Sequence, residues 1–369
     1  MSDVRRPAVG VLAAAAIGAL VAGSLAACGN STAPSSQAVP AALVAKPAAV
    51  PPIVAKVTAK PTPKPTPKPV KPLPPRKALK VSSVTPADKG PFGVALVVSV
   101  VLNHDVAKKA RKAVQQRLVV STSKRVGPAS WAWIDNRTVS FRPRSFWPAA
   151  TRVSVSARLE GLVLPVNADG VQFVGRGTKA FSFTISRATV TSIDGNTQMG
   201  TVKTNGKKVR SVPVSMGKSG WRTRNGIKAI MDRELNHVFT NTAVGDFSSP
   251  YRLTATYNLR LTYSGEFLHS APWAEGRLGQ WAGSHGCTNA SDSDAGWFYH
   301  HALFGDPVIY KNTGGKTMEL DNGMGGPWNL SWKKWLARSA APAVPTWTRT
   351  KPRVVPAKVS APMTSLMAH

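Results

Sequence analysis

The sequence predicts a mainly β protein with two folded units, and three observations point there. Between residues 78 and 312, short runs of apolar residues alternate with period two and are separated by Gly, Pro, Asn or Asp. Only residues 291–303 read as a helix in that span. The 30 prolines crowd toward the two ends, where no packed core can form. A length of 369 residues with 43% hydrophobic content allows two or three domains.

Residues 1–27 read as an export signal. Arg5 and Arg6 precede an apolar run, Val9 to Ala22, that is too short to span a bilayer comfortably. It ends in Leu25-Ala-Ala-Cys28, which resembles a bacterial lipobox and makes Cys28 the expected lipidated N-terminus. Residues 28–77 form a linker rich in Pro and Lys. In Thr62 to Pro72, proline at alternate positions imposes extended backbone and the lysines repel each other. At ~3 Å per residue such a spacer spans on the order of 100 Å.

Residues 78–187 predict an immunoglobulin-like sandwich. Its strands are read at Val94–Leu102, Leu118–Val120, Trp131–Trp133, Thr138–Phe141, Val153–Ala157 and Phe181–Ile185. Trp131, Trp133, Phe141, Phe146 and Trp147 are expected in its core, and Lys108 to Lys112 on a solvated face or loop. Residues 188–312 form the second unit. Strands are read at Val190–Ile193, Gln198–Lys203 and Lys208–Val214, with Thr204-Asn-Gly206 as a hairpin turn. Residues 215–250 are rich in turns and read as an irregular flap. Further strands follow at Leu253–Tyr263 and Glu266–His269, then a helix capped by Ser291 with acid in its first turn, then a closing strand at Asp306–Tyr310. Residues 313–338 read as a Trp-rich cap on the second unit, with Trp332 and Trp335 on one helical face. Residues 339–369 return to Ala, Pro, Thr and Lys and read as a disordered tail.

The net charge of +31 speaks of partners rather than fold. An export signal argues against nucleic acid and leaves anionic wall polymers or lipid. Two cysteines give no disulfide framework. His237, His300 and His301 lack partner ligands at metal-binding spacing, so no metal or other cofactor is expected.

The chemistry gathers at Phe267 to Trp273 and Ser284 to Asn289. Cys287 is the only thiol beyond Cys28. A thiol reacts as thiolate, and a neighbouring histidine or converging amides lower its pKa. His269 is placed on a strand. Gly286 lets the backbone pass close to a bound carbonyl, and the amides of His285, Gly286 and Cys287 are placed to converge on an oxyanion. The following helix adds its positive end.

His269 with Ser284-His285-Gly286-Cys287-Thr288-Asn289 resembles the L,D-transpeptidases of the YkuD family. Gly265-x-Phe-x-His-Ser-Ala-Pro-Trp273, Pro213-Val-Ser-Met-Gly217 and Ala295-Gly-Trp-Phe-Tyr299 carry the likeness further. The order of lipobox, spacer, immunoglobulin-like module, catalytic domain and cap looks like the actinobacterial members. The resemblance implies that Cys287 is the nucleophile and His269 its base, oriented by the Ser270 carbonyl. It implies oxyanion amides at His285, Gly286 and Cys287, and substrate contacts from Tyr251, Ser284 and Asn289. The implied reaction attacks a peptidoglycan tetrapeptide stem, releases D-alanine and passes the acyl group to a diaminopimelate amine on another stem, giving a 3→3 cross-link. The implied protein is lipid-anchored to the membrane, faces the wall, shapes it and is acylated by carbapenems. The segment Ser219 to Pro250 follows the family pattern only loosely.

A papain-like peptidase would place cysteine before histidine, the reverse of the order here. A non-catalytic wall-binding lipoprotein, with the β module and basic ends as adhesive parts, requires the pairing of His269 with Cys287 to be accidental.

Overall fold

A computed structural model describes residues 72–342 apart from 88, 246, 248 and 249. The export segment, Cys28, the linker and most of the tail lie outside the described residues.

The first module contains β1 (Arg76–Leu79), β2 (Val81–Thr85), β3 (Val98–Leu102), α1 (Lys108–Gln115), β4 (Leu118–Thr122), β5 (Ala129–Trp133), β6 (Thr138–Pro143), β7 (Thr151–Arg158), β8 (Gln172–Gly175) and β9 (Thr178–Ile185). Two sheets, β2-β3-β6-β5 and β4-β7-β9, face each other, and β1 pairs with β8 in parallel at one edge. The period of two does the sorting: on β7, Val153, Val155 and Ala157 turn inward while Arg152 and Arg158 stay exposed. Of the five aromatics expected in this core, Trp131, Trp133, Phe141 and Trp147 are buried, while Phe146 is partly buried and packs edge-on against Trp328. The lysines of the Lys108–Lys112 run lie on a solvated face, as expected, but on a helix rather than a loop, because Ala110 and Val114 share its other face and bury it. The Val94–Leu102 run is strand only from Val98. Its first half packs at a junction, where Gly93 and Ala95 donate to the carbonyls of Phe304 and Gly305.

The second unit contains β10 (Thr189–Asp194), β11 (Met199–Thr204), β12 (Lys207–Pro213), β13 (Gly226–Ala229), β14 (Asp232–Thr240), β15 (Arg252–Arg260), β16 (Phe267–Ser270), β17 (Thr288–Ala290), α2 (Asp292–His301) and β18 (Pro307–Lys311). A five-stranded sheet has the order β12-β11-β10-β18-β13, and a four-stranded sheet the order β14-β15-β16-β17. Ile193, Val202, Leu259, Leu268, Phe298 and Val308 belong to the core they share. Asn205 and Gly206, at φ 49° and 83°, make the predicted hairpin turn. Ser291 caps α2 by accepting from the Asp294 amide at 3.1 Å, and α2 packs across β15 and β16. The supposed flap is more ordered than expected. Residues 226–229 and 232–240 are strands, yet no residue of β14 is fully buried, so no apolar alternation marked it.

The cap corrects a further expectation. Instead of lying on the second unit alone, it straps the two together. The Trp328 indole donates to Ala95 O at 2.7 Å, while the Asn329 side chain holds both backbone polar groups of Ile227 on β13. Helix α3 (Trp332–Leu336) then lies against β5, where the Trp335 indole donates to Ser130 O at 3.1 Å. Arg142 is the pin. Its guanidinium is fully buried, 4.7 Å from the Trp335 ring centroid and 4.8 Å from that of Trp328, and donates to Leu330 O at 2.9 Å. With no carboxylate beside it, burial holds its pKa down at about 10. The driving force for this docking is the aromatic area of Trp328 and Trp335 removed from water. Trp335→Ala should therefore cost about 3–5 kcal/mol of stability in urea melts, with the two units losing structure together.

Candidate active site

Strands β16 and β17 run parallel with Leu268 opposite Thr288, His269 opposite Asn289 and Ser270 opposite Ala290. Continuing that register by one residue sets Cys287 beside Phe267. Side chains two positions apart on a strand share a face, so His269 and Cys287 belong to the same face of the sheet, one diagonal step apart. The β15 register brings Asn258 opposite His269 from the other side.

His269 is buried, and its Nδ1 lies 2.8 Å from the Ser270 carbonyl oxygen. A carbonyl only accepts, so Nδ1 carries the hydrogen and the neutral ring keeps its lone pair on Nε2. The Ser270 carbonyl thus sets the tautomer. Phe239 and Trp273 bracket the imidazole at centroid distances of 4.5 and 5.9 Å. Burial pushes the His269 pKa down to about 4, only partly offset by the Ser270 bond.

The turn before Cys287 is built from within. Ser284 Oγ donates to Cys287 O at 2.6 Å and accepts from Gly286 N at 3.1 Å. Gly286 has φ 116°, a conformation that side chains resist, and its carbonyl accepts from Thr223 Oγ1 at 2.9 Å. Asn289 exchanges both backbone bonds with Ser215, and Ser284 bonds to Met216 and Lys218. Ser284 and the main chain of Asn289 are therefore bracing groups. The Gly286 amide points its hydrogen at Ser284 Oγ. His285 packs against Trp221, and its Nδ1 lies 3.3 Å from the Tyr251 hydroxyl. Tyr251 thus reaches the motif through His285.

Cys287 is half-buried, and its thiol donates weakly to Gly265 O at 3.6 Å. Burial pushes the thiol pKa up to about 11, against a hydrogen bond from the Phe267 backbone. This differs from the lowered value expected from motif chemistry. The resting pair is a neutral thiol and a neutral imidazole. Sequence reasoning missed Phe239, Thr223 and Asn258. Phe239 lies in the segment with weak family likeness, and Thr223 and Asn258 act through geometry that no motif spells out. Among the described residues, no group of three or more His, Cys, Asp and Glu could hold a metal ion.

Comparison with known proteins places these features. Residues 189–309 match the YkuD family, described as the L,D-transpeptidase catalytic domain, and residues 70–163 match a bacterial Ig domain family. The chain is 35% identical to L,D-transpeptidase 2 of Mycobacterium tuberculosis (strain CDC 1551 / Oshkosh), over 71% of this chain and 63% of that protein, slightly less than two thirds of it. It is 33% identical to L,D-transpeptidase 1 of M. tuberculosis (strain ATCC 25618 / H37Rv), over 62% of this chain and 83% of that protein. Among solved structures, an LD transpeptidase in complex with imipenem aligns with TM-score 0.52 at 31% identity, covering 65% of this chain and all of that one. L,D-transpeptidase 3 from M. tuberculosis with a faropenem-derived adduct aligns with TM-score 0.51 at 28% identity, covering 63% and 98%. A mainly β chain with an immunoglobulin-like module ahead of this catalytic fold, it belongs to the YkuD family of cysteine-dependent L,D-transpeptidases.

Proposed function

We propose that this chain forms 3→3 cross-links between peptidoglycan stem peptides through a thioester at Cys287. The observation that carries the reading is the parallel ladder that sets a lone thiol and a tautomer-fixed imidazole on one sheet face. In the first step His269 Nε2 takes the thiol proton as sulfur attacks the carbonyl before the terminal D-alanine. The C–N bond breaks, the proton passes to the leaving amine, and an acyl-enzyme remains. In the second step a diaminopimelate amine attacks the thioester, His269 takes its proton, and the thiol is regenerated. The Cys287 and His285 amides are suited to the oxyanion, while Gly286 N is engaged by Ser284 Oγ. Tyr251, with His285, closes the substrate side.

A neutral resting pair assigns proton transfer to the moment of attack rather than to a preformed thiolate. A wall-associated setting goes with the family. A lipid anchor at Cys28, a spacer of residues 28–77 and contact of the basic surface with anionic polymers are the finer parts of the proposal.

Intact-mass spectrometry with a carbapenem should show one adduct on the wild type and none on Cys287→Ala; an adduct of equal mass on the variant would assign the nucleophile elsewhere. The acylation rate has a predictable pH profile. The His269 base is present above its pKa, so the rate should hold level from about pH 6 to 9 and fall as pH drops through about 4. A tenfold rise per pH unit across 6 to 9 would instead mean a free thiolate without its base. Cys28→Ala should move the protein out of the detergent phase in phase separation, whereas retention would rule out the lipid anchor.

A further inference from the structure

Behind the catalytic turn lies a buried ionic group that the reaction above does not use. Lys228 on β13 is fully buried, an expensive place for an ammonium. Its Nζ lies 2.8 Å from Glu266 Oε2 and 3.9 Å from the Tyr310 ring centroid. The Tyr310 hydroxyl bonds at 2.8 Å to Thr288, the residue after the nucleophile. Glu266 follows Gly265, whose carbonyl holds the thiol, and a Cβ on Gly286 would stand only 3.6 Å from its Oε1. The cap seals this layer. Asn329 binds Ile227 from outside, and Gly325 comes so close to Lys228 Cα that a Cβ would stand 2.4 Å away.

Arg224 also reaches Glu266, with its guanidinium at 3.4 Å and its amide at 2.9 Å. It pairs on its other side with Glu319, which in turn holds Lys316. Arg224 and Lys228 thus converge on Glu266, while the largely exposed Lys316 is shared only with Glu319. Arg260, across β15, is committed to Glu234 and lies over the Phe267 ring. Tyr310 is also coupled to the thiol, and His269 and His237 lie on either side of Phe239.

We infer that Lys228 supplies the positive charge that the Cys287 thiolate meets when it forms, and that Glu266 tempers it. Lys228 acts through space on the sulfur and is a positioning residue, not a catalytic one. Burial disfavours the charged form of Lys228, and Glu266 and then the Cys287 thiolate favour it; on the sulfur, Glu266 opposes the thiolate more strongly than Lys228 favours it. Lys228 thereby offsets part of what burial and Glu266 cost the half-buried thiol as it ionises.

This inference rests on Cys287 as the reacting thiol, but its test does not need transpeptidation. Iodoacetamide alkylation of Cys287 in the full chain, followed by peptide mass spectrometry from pH 7 to 10, reads the thiolate population directly. Lys228→Met should slow alkylation at pH 8 about tenfold, equivalent to one pH unit. Glu266→Gln should speed it several-fold, and the double variant should return to within about threefold of wild type. Opposite signs from two partners of one ion pair are what a merely structural role does not produce. Lys228→Met with an unchanged or faster rate would overturn the inference, and so would Glu266→Gln with an unchanged or slower one. If Lys228→Met does not fold by circular dichroism, Glu266→Gln decides alone. Carbapenem acylation, followed in parallel, separates the two readings: alkylation that shifts as stated on a chain that no carbapenem acylates would remove the proposed reaction and leave this electrostatic role standing.

Discussion

The parallel pairing of β16 with β17 is the constraint on which the rest depends. Two residues distant along the chain share one face only because Leu268, His269 and Ser270 run in register with Thr288, Asn289 and Ala290. A slip of one residue would send His269 and Cys287 to opposite faces. Much of the second unit reads as protection of that register. Ser215 clamps Asn289 from outside, β15 flanks β16, and α2 begins directly after β17 with its cap in place. The catalytic turn is equally over-determined. Ser284, Thr223 and the left-handed Gly286 fix it before any substrate arrives.

Burial then sets the electrical character of the site. It drives the imidazole toward its neutral form and the thiol toward its protonated one, so the ground state carries no charge at the reacting atoms. Preorganisation therefore lies in the tautomer and in the fixed ionic layer beneath, rather than in a standing thiolate. A neutral sulfur is also a poor target for stray oxidants, which suits a half-exposed cysteine.

Much of this was legible in the sequence, and the exceptions share a cause. Strands with one wet and one dry face, such as β7, announce themselves by alternation. The hairpin at Asn205-Gly206 and the Ser291 cap follow from local chemistry. The motif spells out His269, Ser270 and Cys287. By contrast, β14 is wet on both faces, and the Val94–Val97 run is buried in a junction without being a strand, so apolar pattern misleads at both. The side on which the cap docks could not be read, because Trp spacing reveals a face but not its partner. Lys228 and Glu266 look like ordinary surface charges until the fold brings them together under the turn.

The Arg142 cage has a consequence for the order in which the chain acquires structure. The sandwich is complete by Ile185, yet its buried guanidinium waits for aromatic rings that lie far downstream, and Gln115 waits for Ser339. Without those downstream residues the Arg142 guanidinium would face water. Only when the last turn of the described chain docks does the socket close, and in closing it presses Gly325 and Asn329 onto the strand that carries Lys228. The segment that closes the socket around Arg142 is thus the same segment that covers the strand carrying Lys228.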